Sequence, residues 1–527
     1  MLDILIKNGT VVDGTGKRAF KADVGIAQNC IALVAETIDQ EAARIIDAKG
    51  LHLAPGFIDV HSHSDLTLLV NPHAESKVRQ GVTTEVIGNC GFSAAPLQGQ
   101  AVEEIGKMAE HINLDVTWAS TEEYLNRLKT PGTAVNVVPL VGHNTVRGSV
   151  LGYGEAQPGS IKQADMEHLV AESLAQGTRG LSTGLYYPPG QFARTEEVVG
   201  LAKVAAQQGG IYASHIRSES DRLLDAVEEA IRMGQEADIR VEISHLKVSG
   251  YRNWDRVDEL IGLIESAEEK GVILGCDQYP YPAGSTWLAA LLPYWVQAGG
   301  YKEIVKRLGD PQIRAQIKQD RIEHRSEWEN RVGIRDWSDV IISDCQAKPE
   351  VEGSALVDVA KAEDRDPLDV VFDLIVASEG QVDCVWFTQS EEVVRKLLRH
   401  PLVIVGSDGS ALSPDGILGR NKPHPRNYGT FPRVLGRYVR EEKLLTLEEA
   451  IQKMSSIPAT RFGLEDRGVI RESAWADLVL FEADTVIDTA TYTDPHQYPV
   501  GIPYVIVNGE IVIDQGEQTG ALPGRVL

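Results

Sequence analysis

Two histidines one residue apart, His61 and His63 in GFIDVHSHSD, follow a short apolar run that reads as a strand. Residues i and i+2 of a strand share a face, so both imidazoles can reach one ion. Other metal-capable groups repeat this placement: Cys90 after TTEVIGN, His215 after IYAS, His245 after RVEIS and Asp408 after LVIVGS. A lone buried histidine is more often core than ligand, so it is the shared placement of these groups that points to a metal centre. Imidazole, thiolate and carboxylate together suit zinc. Asn89 and Gly91 mark a turn around Cys90, where a thiolate can bind one ion or bridge two, while Cys276, also near a strand end, is the rival thiol. His73, His111, His168, His324, His400 and His496 fall in helical or loop contexts and read as surface residues.

Such groups converge only if the strand ends do. Short apolar runs alternate with helical patterns along the middle of the chain; Val257, Leu260, Ile261, Ile264 and Ala267, for example, share one helical face before the run VILGCD. Strand-then-helix repetition predicts an α/β fold with a (β/α)8 TIM-type barrel, whose strand C-termini meet at one mouth. Nine runs qualify as strands, at 57–60, 83–87, 135–141, 180–185, 211–214, 240–244, 272–277, 384–387 and 402–407, one more than the barrel needs. The two ends read differently. ILIKNGTVVD and YVIVNGEIVI each suggest a hairpin around Asn-Gly, at Asn8-Gly9 and Asn508-Gly509. Both termini are therefore expected to build one small β-sandwich, from residues 1–54 and 465–527, beside a catalytic barrel of residues 55–464. A charged stretch within 286–345 breaks the rhythm and reads either as an inserted lid or as a solvated helical excursion.

The formal net charge of −25 argues against nucleic acid or an anionic membrane surface as partner, and no apolar run approaches a membrane span. The opening residues alternate like a strand rather than a targeting segment, and five scattered cysteines do not form a disulfide framework, so a cytoplasmic enzyme acting on a small molecule is expected. Oligomeric state is not legible.

GFIDVHSHSD, IGNCGFSAAPL, GLSTGLYYPPG, ASHIRSE, ISHLK, GSDG and HPRNYGTFPRVLGRYVRE together resemble the N-acyl-D-amino-acid deacylases (D-aminoacylases) of the amidohydrolase superfamily. The motifs run from the first strands to the terminal TGALPGRVL. The paired histidines are shared with hydantoinases and dihydroorotases; the cysteine in GNCG and the HPR…GTFPR segment are far more specific to this branch. The resemblance implies that Cys90, His215 and His245 hold a tightly bound zinc, and that His61, His63 and Asp408 share Cys90 in a second position filled weakly or not at all. It also implies that Tyr187, Lys247 and Arg426 anchor the substrate's α-carboxylate, with Tyr186 adjacent to the first and Arg420 a competitor of the last. The connection GSALSPDGILGRNKP between Asp408 and Arg426 looks longer than is usual in the family.

On this reading Asp408 is the general base, taking a proton from water and delivering it to the leaving amine. The product pair is a carboxylate and a free D-amino acid, the chirality resting on the resemblance alone. YPYPAGSTWLAALLPYW (279–295) carries Trp287, Leu288, Leu291 and Leu292 and no basic residue, so hydrophobic side chains are expected if this run lines the pocket rather than packing the lid. The alternatives are a cyclic-amide hydrolase, a dipeptidase acting on D-containing dipeptides, and an inactive scaffold on the same fold.

Overall fold

A computed structural model describes residues 1–324 and 332–527; residues 325–331 of the expected lid lie outside the described residues. The architecture is α/β, with two sheet systems side by side. Strands Leu2–Val11, Phe20–Ala27, Cys30–Ala35, Ala42–Asp47 and His52–Pro55 come from the front of the chain; Leu478–Phe481, Tyr504–Val507, Glu510–Asp514 and Glu517–Gln518 come from the back. Leu478–Phe481 pairs antiparallel with His52–Pro55 and joins both sets into one nine-stranded sheet. The expected sandwich is therefore, in its hydrogen bonding, a single sheet. Period-2 alternation identified the strands, but it carries no information about which edges pair. Ile4, Ile6, Val24, Leu478, Leu480 and Ile506 face the sheet's own core, whereas Val479, Phe481, Val505 and Val507 pack with Phe57, Val82 and Phe431.

The two Asn-Gly sites behave differently. At Asn508 (φ 49°) and Gly509 (φ 79°) both residues are left-handed and a hairpin joins Tyr504–Val507 to Glu510–Asp514, as expected. At the front only Asn8 has positive φ, at 63°, and its N–H donates to Asp23 Oδ1 at 2.9 Å. One left-handed residue makes a bulge rather than a turn, so Leu2–Val11 is one continuous strand with a register shift between Ile6 and Gly9.

The second system is parallel. Phe57–Asp59, Val82–Ile87 and Asn136–Pro139 form one ladder, and Val141–Gly142, Gly180–Gly184, Ile211–His215, Val241–Ile243, Leu274–Gln278 and Val403–Val405 another. Asn136–Pro139 and Val141–Gly142 are halves of one strand broken at Leu140, whose N–H donates to Ile87 O. The last strand meets the first through a parallel bridge between Ser62 and Gly409 and through Asp408 N–H to His61 O at 2.7 Å, which closes the ring. Helices such as Val257–Glu269 cover the outside, with Val257, Leu260, Ile264 and Ala267 buried.

The surplus strand is Asp383–Trp386. It lies outside the ring and pairs antiparallel with Gly284–Trp287 and Val340–Asp344. This inserted sheet, with Leu288, Leu291, Leu292, Ile304, Leu308 and Phe372, has a core of its own, and the unit extends to Trp386, past the expected 345.

Candidate metal centre

Every group singled out at a strand exit reaches the same end of the ring. His61 and His63 follow Phe57–Asp59, Cys90 follows Val82–Ile87, His215 closes Ile211–His215, His245 follows Val241–Ile243 and Asp408 follows Val403–Val405. Three of them, Cys90 (φ 53°), His245 (φ 36°) and Asp408 (φ 51°), have left-handed backbones, a strain of about 1–3 kcal/mol each that persists only where surroundings impose it. Close packing imposes it at Cys90: a Cβ on Gly184 would stand 2.0 Å from Cys90 O, and one on Gly91 2.5 Å from Asn144 Oδ1. The glycines of GNCG and GLSTGL therefore admit the turn that aims the thiol inward.

Cys90 Sγ lies 3.2 Å from His61 Nε2 and 3.4 Å from His245 Nε2, and His245 Nε2 lies 2.9 Å from His215 Nδ1. Asp408 Oδ1 is 3.0 Å from His63 Nε2 and 3.5 Å from His61 Nε2. Donors around one tetrahedral zinc stand about 3.3–3.8 Å apart, so the spacing around Cys90 fits an ion and the 2.9 Å pair is slightly closer. His61, Cys90, His245 and Asp408 form one buried group able to hold a cation, and His215 and His245 with Glu219 another. His63 is the most accessible, with 32% of its side chain exposed. Cys276 is elsewhere, buried beside Glu242 and Arg461, and burial pushes its thiol well above the usual range.

Electrostatics separate the two thiols. Burial pushes Cys90 up, but His61, His245 and His215 around it outweigh that and hold it well below the ordinary thiol value. Burial likewise raises Asp408, and Arg426, His245 and His61 outweigh it, keeping the carboxyl ionised. His63 is lowered by burial yet raised more by Asp408 and Cys90, to about 9. A thiolate and a carboxylate facing several imidazoles form a donor set of the chemistry that zinc takes.

His63, Cys90, His215, His245 and Asp408 open into a cavity of about 680 Å³ that Tyr187, Lys247 and Arg426 also line, with His61 fully buried behind them. Tyr187 OH is 2.9 Å from Thr286 Oγ1 and its ring 5.0 Å from His215, whereas Tyr186 packs into the inserted unit's core and is not part of the lining. Lys247 Nζ donates to Glu219 Oε1 at 2.5 Å and is 2.7 Å from His245 Nδ1. Arg426 Nη1 stands 2.8 Å from Asp408 Oδ2 without hydrogen-bond alignment, so its buried Nε and Nη1 have no hydrogen-bonded partner. Arg420 lies on the exposed rim. His424 accepts the Arg426 N–H on Nδ1 at 3.0 Å and stands 3.0 Å from Ala283 O through Nε2, fixing the start of the helix Arg426–Arg433.

Three residues escaped the sequence reading. Asp277 stands 3.2 Å from His61 Nδ1 and accepts His245 N–H at 2.8 Å, which turns His61 Nε2 toward Cys90. It ends VILGCD, the same strand-exit signal as the others. Glu219 lies four residues after His215 and orients Lys247; because Lys247 then presents a fixed ammonium, Glu219→Gln is expected to raise KM more than it lowers kcat in steady-state kinetics. Lys77 carried no signal. Two surface assignments are also corrected: His400 is buried, its Nδ1 accepting Leu402 N–H at 3.3 Å, and His111 lines the cavity, 2.8 Å from Asp344 Oδ2, because its helix Gly99–His111 ends against the inserted sheet.

The profile of the amidohydrolase family matches residues 44–513. The chain belongs to the amidohydrolase family. It is 36% identical over 526 residues to a D-aminoacylase of Alcaligenes xylosoxydans xylosoxydans, covering 100% of this chain and 97% of that protein. It superposes with a TM-score of 0.84 at 35% identity on the N-acyl-D-glutamate deacylase of Bordetella bronchiseptica, solved with zinc and a phosphonate that mimics the tetrahedral intermediate, covering 100% and 99% of the two chains. A D-aminoacylase structure described by one-metal activation and second-metal attenuation of a binuclear centre matches equally, with TM-score 0.84, 35% identity and full coverage of both chains. The fold of this amidohydrolase, a barrel with a small domain, is thus that of the D-aminoacylases.

Proposed function

We propose that this amidohydrolase cleaves N-acyl-D-amino acids to a carboxylate and a free D-amino acid, with one zinc bound tightly and a second weakly or not at all. The observation that carries the reading is the meeting, in one cavity, of the Cys90–imidazole donor set, the ionised Asp408 and the unsatisfied donors of Arg426. The relatives' D-amino-acid chemistry and zinc support it, as does the one-metal activation described for the D-aminoacylase.

Cys90, His215 and His245 would hold the tight ion, and His61, His63 and Asp408 with Cys90 the weak one. Zinc bound there supplies Lewis acidity, lowering the pKa of water and polarising the scissile carbonyl. The chain's own residues do the rest. Arg426 offers an α-carboxylate its Nε and Nη1 N–H groups, which make no hydrogen bond although Nη1 is ion-paired with Asp408. Lys247 adds an oriented ammonium and Tyr187 a phenol, and together they fix the acyl group over the donor set. Asp408 takes the proton of the attacking water and returns it to the leaving nitrogen. A carboxylate on Arg426 also draws that guanidinium's charge away from Asp408, which makes Asp408 a better base when substrate is bound.

For the side chain, Trp287 faces the cavity and packs edge-on to Phe92 and Tyr187, whereas Leu288, Leu291 and Leu292 are buried in the inserted unit. Ile105, Met108 and Trp386 extend the apolar wall, and Asp344 and Asp383 add carboxyl groups that disfavour an acidic side chain. We assign hydrophobic D-amino acids as the preferred class. The finer architecture we propose is a (β/α)8 barrel of residues 55–464, a small β domain from 1–54 and 465–527, and a lid that includes 286–345. Among the described residues no helix is long and apolar enough to cross a membrane, and all five cysteines are free, which supports a cytoplasmic setting.

The test pairs a zinc count on purified protein with an assay of N-acetyl-D-leucine against its L isomer and against N-acetyl-D-glutamate. About one tightly held zinc per chain and turnover of D-leucine above the other two are expected. Cleavage of the L isomer alone, or of a cyclic amide alone, sinks the assignment.

A further inference from the structure

Beside the His61–His63 segment lies a buried ion-pair cluster that the chemistry above leaves unused. Lys77, in the short helix Glu75–Val78, has 0% of its surface exposed. Its Nζ donates to Asp59 Oδ2 at 2.7 Å, Ser407 Oγ at 2.8 Å and Gly409 O at 3.2 Å, and stands 3.1 Å from Glu85 Oε1. Asp59 in turn accepts Ser407 N–H at 2.8 Å and Ser407 O–H at 2.6 Å. Glu85 Oε1 accepts the hydroxyls of Ser62 and Ser64, each at 2.9 Å. One ammonium therefore touches both chain neighbours of Asp408 and, through Glu85, both chain neighbours of His63.

Burying these charges costs several kcal/mol per ion before pairing, and an apolar residue fills such a space at no such cost, so packing alone does not account for a lysine here. What an apolar residue lacks is donors for the turn Ser407–Gly409, in which Asp408 sits at φ 51°. Backbone bonds hold that turn to the histidine strand, with Asp408 N–H to His61 O at 2.7 Å and His63 N–H to Gly409 O at 2.9 Å. Lys77 grips the same turn through its side chain, at Ser407 Oγ and Gly409 O.

We propose that Lys77 is a positioning residue that holds the Asp408 carboxylate in reach of the reacting water by clamping Ser407 and Gly409 to Asp59. The proposal rests on Asp408 being the base in the deacylation argued above. Misplacing a reacting group by about 1 Å can cost 10²-fold, so Lys77→Met should lower kcat on N-acetyl-D-leucine by about that factor. KM and the tightly bound zinc should be unchanged, because Arg426, Lys247, Cys90, His215 and His245 keep their own supports. Ser407→Ala, which leaves the Lys77–Asp59 pair in place but removes the hydroxyl between them, should lower kcat by about tenfold, again at unchanged KM. Wild-type kcat in Lys77→Met, or loss of its zinc, overturns the proposal. If Lys77→Met does not fold, Ser407→Ala decides, and wild-type kcat there overturns it. The two readings fail differently: a wild-type enzyme inactive on every N-acyl-D-amino acid refutes the proposed function, whereas an active wild type with an indifferent Lys77 refutes only the positioning.

Discussion

Cys90→Ala is expected to yield a folded protein that retains little zinc and has lost its deacylase activity in proportion. Sγ lies between two imidazoles, 3.2 Å from His61 Nε2 and 3.4 Å from His245 Nε2, so it is shared by both halves of the donor set. Removing a group that merely orients a ligand costs about 10–100-fold in metal affinity, and removing the shared thiolate itself should cost more. The substitution also removes the one thiolate that His61, His245 and His215 all face. Zinc by elemental analysis after dialysis and activity on N-acetyl-D-leucine measure both effects. Thermal unfolding gives a third reading: saturating zinc at about 1,000 times Kd stabilises the wild type by about 4 kcal/mol through mass action, and this gain should vanish in the variant. Cys276→Ala is the control. That thiol lies beside Glu242 and Arg461, away from the imidazoles, so zinc and activity should persist. Full activity of Cys90→Ala would remove the thiolate from the account.

Much of this site was readable because barrel geometry turns a linear signal into a spatial one. A ligand-capable residue after each of several apolar runs is visible in sequence, and parallel strands bring such residues to one rim. Asp277 carries the same signal at the end of VILGCD, but the adjacent Cys276 is an equally plausible ligand by type, and alternation along a strand does not say which of two neighbours faces the mouth. What stayed illegible depends on pairing and on direction. Asn8-Gly9 and Asn508-Gly509 look alike as dipeptides, yet only the second has two left-handed residues; the first is held by Asp23, which is remote in sequence. Asp383–Trp386 has the composition of a barrel strand and belongs to the inserted sheet, since a short apolar run does not reveal its partners. Of the apolar residues Trp287, Leu288, Leu291 and Leu292, a single one lines the cavity, because a strand gives way after Trp287 to a short helical turn that carries the leucines into the inserted core. Lys77 is beyond any local reading: its four partners come from three separate segments, of which the one carrying Ser407 and Gly409 is far along the chain, and a lone lysine in a polar stretch is ordinarily solvated.

Asp408→Asn separates chemistry from metal binding. Asparagine keeps the shape of the side chain but cannot accept the water's proton, so kcat should fall by about 10²–10⁴-fold, the usual contribution of a general base. The tight zinc should remain, since Cys90, His215 and His245 do not depend on the carboxylate; the weak one should be lost, and with it any inhibition by added metal. Stability follows from the Arg426 pair. Arg426 is buried, 2.8 Å from Asp408 Oδ2, and orphaning a buried partner costs at most about 3–5 kcal/mol. The sign of its pH dependence is fixed: the folded carboxyl titrates well below its unfolded value, so the pair's contribution is fully present above the ordinary carboxylate range and is lost as pH falls toward the depressed value. The gap in unfolding free energy between wild type and variant, measured in chelator, should therefore be widest near neutral pH and close in acid. A gap that widens in acid would mean Arg426 does not hold Asp408 ionised. Substrate adds the last constraint. If an α-carboxylate takes over the free donors of Arg426, N-acetyl-D-leucine should bind Asp408→Asn at least as tightly as it binds the wild type, since the competing charge is gone, and the loss should fall on kcat alone.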